Sequence, residues 1–89
     1  MPPRYRIEMQ QSAEKVLRRL PRDLKERITT AIFNLETNPR PSGAIPLKGQ
    51  YNTWRIRVGD WCVIYTIEDD QLIVLVVKIG PRGDVYCDL

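Results

Sequence analysis

Trp54-Arg55-Ile56-Arg57-Val58-Gly59-Asp60-Trp61-Cys62-Val63-Ile64-Tyr65 reads as the two strands of a tight hairpin. Trp54, Ile56 and Val58 alternate with Arg55 and Arg57, so one face of the first strand is apolar and the other carries two guanidinium groups. The Gly59-Asp60 pair suits a two-residue turn, because glycine supplies the positive φ that such turns require. This turn sets the register: Val58 faces Trp61, Arg57 faces Cys62 and Arg55 faces Ile64. Arginines held on a rigid strand suggest a site for phosphate.

On the C-terminal side, Glu68-Asp69-Asp70 reads as an acidic turn. Leu72 to Ile79 is a nearly continuous β-branched and leucine run, expected as a central strand covered on both faces along much of its length. Gly80 and Pro81 are expected to end it. On the N-terminal side, Tyr5, Ile7 and Met9 alternate with charged residues as a half-buried first strand. A helix is expected from Ser12 as N-cap, with Ala13, Val16, Leu17 and Leu20 on one stripe up to Pro21. A second helix begins near Asp23, carries Leu24, Ile28, Ala31, Ile32 and Leu35, and stops at Asn38-Pro39. The connector from Asn38 to Pro46 is too rich in proline for a helix or a central strand, and delivers the chain to Leu47-Lys48-Gly49. The order is β-α-α-β-β-β, an α+β fold in which an antiparallel sheet carries an N-terminal helical hairpin on one face.

A chain of 89 residues with 43% hydrophobic composition is expected to form one domain over residues 1–89. Its formal charge of +3 permits nucleic acid or an acidic protein as partner without demanding either. The helix faces hold Lys15, Arg18, Arg19, Arg22, Lys25 and Arg27 against Glu14, Asp23 and Glu26, which a solvated surface explains as well as a function does. No stretch approaches the ~18 apolar residues of a membrane span, and the start of the chain lacks an apolar signal core, so a cytoplasmic location is expected. Cys62 and Cys87 are too few for a disulfide framework, and without histidine a zinc site is short of ligands. Neither a metal nor another cofactor is expected.

Lys48, Arg55 and Arg57 form a run of three cations without an intervening acid, and Arg82 and Tyr86 follow the long strand. If the fold brings Arg82 and Tyr86 beside Arg55 and Arg57, the result is a phosphate pocket with an aromatic surface on which a base can stack.

Read in order, Leu47-Lys48-Gly49, Trp54 to Trp61, Val63-Ile64-Tyr65, Ile79-Gly80-Pro81-Arg82 and Val85-Tyr86 resemble the RelE/ParE toxin superfamily. The likeness runs from Tyr5 to Tyr86 and includes the Asn38-Pro39-Arg40 connector. It implies the toxin of a type II toxin–antitoxin pair. The RelE branch enters the ribosomal A site, cleaves messenger RNA and so inhibits translation. By that resemblance Arg55 and Arg57 match the two basic strand residues of the site, Arg82 its later arginine and Tyr86 its C-terminal tyrosine. Where RelE toxins usually have arginine, this chain has Cys62.

The implied reaction is attack of a ribose 2′-hydroxyl on the adjacent phosphate, leaving a cyclic phosphate and a free 5′-hydroxyl. Arg57 and Arg82 then bind the charge of the phosphorane. Arginine is too basic to remove the 2′ proton; positive neighbours lower a lysine or tyrosine pKa, so Lys48 or Tyr86 are the candidates for that role if the fold brings them close enough. Lys48, Arg55, Cys62 and Tyr86 are the residues expected to meet the RNA. A neutral residue at position 62 implies weakened cleavage. The implied partners are the ribosome, messenger RNA and a cognate antitoxin in a hetero-oligomer that can sit on operator DNA through the antitoxin. Two alternatives share the fold: a ParE-like inhibitor of DNA gyrase, and a non-catalytic remnant that only binds antitoxin.

Overall fold

The structure, a computed structural model, describes residues 4–81. Its elements are β1 (Arg6–Met9), α1 (Gln11–Arg19), α2 (Arg22–Asn34), β2 (Ile45–Pro46), β3 (Thr53–Val58), β4 (Trp61–Glu68) and β5 (Ile73–Pro81). They build an α+β fold in which the helical hairpin packs on a five-stranded sheet of order β1-β5-β4-β3-β2. No described helix is long and apolar enough to cross a membrane.

The β3–β4 hairpin has the register its turn requires, with Val58 opposite Trp61, Arg57 opposite Cys62 and Arg55 opposite Ile64. Gly59 has φ 61, while Asp60 is not in the positive region, the pattern of a II′ turn with glycine first. β5 lies between β1 and β4, as a long apolar run should. It pairs antiparallel with β4 but parallel with β1, so the sheet is mixed rather than wholly antiparallel. The connector also contributes a short edge strand, β2, in which Ile45 pairs with Arg55 and Pro46 with Trp54. Proline is tolerated there because an edge strand needs no donor on its outer side.

The apolar stripes meet on one side of the sheet. Ala13 of α1 and Ile28, Ile32 and the following Leu35 of α2 pack against Ile56, Val58, Val63, Tyr65, Ile67, Val74, Val76 and Ile79. Within β5 the core residues are Val74, Val76 and Ile79, a spacing that simple alternation cannot produce. The ladder shows why: Ile64 pairs with Lys78 but Tyr65 pairs with Val76, leaving Val77 as a bulge. The bulge moves Lys78 from the core side to the open face. It also lets β5 continue through Gly80 to Pro81, which pair with Cys62 and Trp61 instead of ending the strand.

Two helix boundaries differ from the expected caps. α1 starts one residue before Ser12, and its first turn is tied to the sheet by the Gln10 N–H donating to the Val76 carbonyl at 2.9 Å. α2 ends at Asn34, four residues before Asn38.

The connector is held by a polar clamp at the Thr53 end of the sheet. Arg40 donates to both carboxylate oxygens of Asp69, at 3.3 and 2.9 Å, and to Asn52 Oδ1 at 3.1 Å. Tyr5 donates to Asp69 at 2.9 Å, and Asn52 Nδ2 reaches the Ile67 carbonyl at 2.6 Å. The Arg40 guanidinium also lies 5.5 Å from the Trp54 ring centroid. Asp69 is therefore more than a turn residue. Hydrogen bonds from Arg40, Tyr5 and Asn52 hold its carboxyl well below the usual carboxylate range.

A folded-state pKa below the unfolded value contributes stability above the unfolded pKa, and that stability is lost as pH falls through the folded one. The parent protein is thus expected to lose stability progressively below about pH 4. Asp69→Asn, melted beside it across pH 2–7, should start lower at pH 7 and lose less on acidification. Parallel curves would exclude a stabilising role for the Asp69 charge.

Candidate functional site

The open face of the sheet, opposite the helices, is assembled by register alone. Alternation along β3 sends Trp54, Ile56 and Val58 toward the core and Arg55 and Arg57 the other way. Cross-strand pairing then lays down two rows: Arg57, Cys62 and Gly80 in one, Arg55, Ile64 and Lys78 in the next. Arg57 is exposed, whereas Arg55 and Lys78 are half-buried, with their stems against the sheet.

Lys78 was not among the residues singled out from the sequence. The available signal was its charge, the only one in an otherwise apolar strand, but an unbroken hydrophobic run assigns no face to it. The bulge at Val77 does so. Three cations from two non-adjacent strands consequently share one surface. Clustered cations of this kind are the chemistry suited to a polyanion and to charge on a phosphate.

Lys48 is exposed in the loop between β2 and β3. The Leu47 N–H donates to the Thr53 carbonyl at 2.9 Å, which places that loop past the Thr53 end of β3, nearer to Arg55 than to Arg57. Two residues after Lys48, Gln50 joins Ile64, Val77 and Lys78 in lining a shallow cavity of about 260 Å³, so the loop borders the open face at the second row. Arg82 and Tyr86 lie outside the described residues.

Cys62 sits opposite Arg57 as the hairpin requires, but its side chain is only 1% exposed. It is held in a disulfide rather than as a free thiol, and burial leaves it no surface for the contact with RNA expected of it. Arg57 stands at a boundary. β2 covers β3 only at Trp54 and Arg55, and beyond it Arg57 borders both the open face and a groove of about 710 Å³ that runs between β3 and α2.

Comparison with known proteins agrees with this architecture. The family described as "ParE toxin of type II toxin-antitoxin system, parDE" matches residues 7–86. A protein of Methanocaldococcus jannaschii that bears the name RelE1 is 29% identical over 86 residues, spanning 93% of this chain and 96% of its own. Among solved structures, RelE in the RelE–RelB complex of Pyrococcus horikoshii superposes with a TM-score of 0.80 at 29% identity, over 91% of this chain and 98% of that one. The fold alone is shared with the E. coli RelBE toxin–antitoxin complex, at TM-score 0.79 and 20% identity, over 90% of this chain and 99% of that one. The chain belongs to the RelE/ParE superfamily of type II toxin–antitoxin toxins.

Proposed function

We propose that this toxin is a ribosome-dependent endoribonuclease that cleaves messenger RNA in the A site and so arrests translation. The observation that carries the reading is the pair of adjacent rows on the open face that bear Arg57, Arg55 and Lys78. The ribose 2′-oxygen, once it gives up its proton, attacks the neighbouring phosphorus, and the 5′-oxygen leaves and is protonated. The products are a 2′,3′-cyclic phosphate and a 5′-hydroxyl.

In this scheme Arg57 and Arg82 hold the equatorial charge of the phosphorane, and Arg55 and Lys78 grip the flanking backbone. Tyr86 stacks on a base, and Lys48 or Tyr86 removes the 2′ proton. The ribosome contributes by holding the hydroxyl in line with the leaving oxygen. Cys62 leaves the row one charge short, and one missing donor of this kind typically costs ~10²–10³ in rate. A cognate antitoxin, as RelB is for the P. horikoshii relative, silences the toxin by wrapping it.

The neutral residue at 62 also favours a second reading, inhibition of DNA gyrase by binding alone. Purified protein added to a translation reaction, with mapping of messenger RNA ends, separates the two. New ends within A-site codons, bearing cyclic phosphate and formed only with ribosomes present, are the expected result. Uncut messenger RNA together with blocked supercoiling by gyrase would replace the nuclease reading.

A further inference from the structure

The groove between α2 and the end of β3 holds two arginines on opposite walls, Arg57 from the strand and Arg27 from the helix. Arg27 lies four residues after Asp23, the spacing at which a helical ion pair forms. No such pair is made. Among the described residues, neither Arg27 nor Arg57 has a carboxylate within 4.0 Å. The Arg27 guanidinium instead reaches across to the hairpin turn, where its Nη2 stands 3.4 Å from the position a Cβ on Gly59 would occupy. Glycine at 59, which the turn requires in any case, leaves room for that approach.

The groove is not uniformly positive, since Asp23 and Glu26 also line it. Glu26 faces Arg22 at 3.6 Å, and Asp23 lies in the first turn of α2, where the helix dipole offsets part of a negative charge. The charges not offset in this way are the two guanidinium groups. Each offers a planar set of donors suited to phosphate oxygens. Arg57, which alternation and register place on the open face, also lines the groove and is where the two surfaces meet.

We propose that Arg27 is a second anchor for the RNA backbone, binding a phosphate that leaves the open face past Arg57 and enters the groove beside α2. The assignment rests on the nuclease reading and extends it, by giving the RNA a path off the sheet over the edge that β2 leaves uncovered. Arg27 acts on binding and positioning, not on the reacting atoms.

The test uses full-length protein and ribosomes programmed with one defined messenger RNA. Arg27→Ala is expected to raise KM for programmed ribosomes by about fivefold to tenfold. The salt dependence of that KM should become shallower by roughly one phosphate contact. Arg27→Lys, which keeps the charge and loses the planar fork, should recover part of both. The exposed position of Arg27 makes misfolding easy to exclude by matched melting curves. A cleaving parent whose KM and salt dependence are unchanged in Arg27→Ala overturns the assignment of Arg27 and leaves the nuclease reading standing. So does a variant that weakens antitoxin binding alone, which would give the groove to the antitoxin. A parent that leaves messenger RNA uncut removes both proposals together.

Discussion

Arg57→Ala is expected to slow messenger RNA cleavage by about 10²–10³ while leaving the fold intact. The residue is exposed and makes no ion pair among the described residues, so truncation leaves no buried cavity. Its whole effect should therefore fall on function. If Arg57 stabilises charge that appears only in the transition state, the loss falls on kcat and kcat/KM together. A rise in KM with kcat unchanged would mean that Arg57 only tethers RNA. Single-turnover cleavage on programmed ribosomes measures this directly. Equal rates for parent and variant would remove Arg57 from the site, since Cys62 opposite it has no charge to take over the task.

Tyr65 should dominate stability. It is the largest fully buried side chain among the described residues, at 0% exposure, and its hydroxyl donates to the Pro39 carbonyl at 2.7 Å. One residue thus links the centre of the sheet to the start of the connector. Tyr65→Ala is expected to cost about 3–5 kcal/mol through loss of the ring and the cavity left behind. That is a large share of the ~5–15 kcal/mol typical of a folded domain. Tyr65→Phe keeps the ring and costs about 1–3 kcal/mol, because the buried Pro39 carbonyl loses its donor. Urea melts of the three proteins separate the two contributions. Equal midpoints for Phe and parent would show that the hydroxyl bond adds nothing.

The same residue gives the stability curve an alkaline limb. Burial pushes the Tyr65 phenol up to about 12, against the lowering influence of Arg40. An unfolded tyrosine ionises near 10, so the unfolded chain releases its proton first as pH rises. Stability is then complete below about pH 10 and declines toward pH 12. Tyr65→Phe should flatten that decline. A decline as steep as in the parent would assign it to other groups.

The acid-sensitive clamp and the buried tyrosine act on the same segment from two sides. Arg40 and Asp69 hold the connector on the surface, and Tyr65 holds Pro39 from beneath. Both contacts lie in the segment that leads into β2. Arg57 lies beyond the part of β3 that β2 covers.

Much of this was legible in the chain because it depends on short-range rules. The Arg57–Cys62 pairing follows from one Gly-Asp turn and a two-residue period, both local. The helical stripes follow from apolar spacing, and the central position of β5 from its unbroken run of aliphatic residues. What stayed hidden was long-range. The Arg40–Asp69 pair spans 29 residues, and nothing near either residue points to the other. The parallel pairing of β1 with β5 joins strands more than sixty positions apart, a contact with no signature in either segment.

Lys78 shows the division most clearly. Composition and pattern place a strand there and cannot say which way its one charge points, because neighbours of equal hydrophobicity leave the face undetermined. Counting by twos from Val74 and Val76 would bury it. The bulge at Val77, which exists only because β4 and β5 pair out of step between Ile64 and Tyr65, turns it to the open face. The chain alone therefore supplied the hairpin, its arginines and the family they suggest, since alternation and turn chemistry are local. Tertiary pairing alone placed Lys78 in the row of Arg55, with Ile64 between them, and packing alone set Arg27 across from Arg57, because both depend on how separate elements meet.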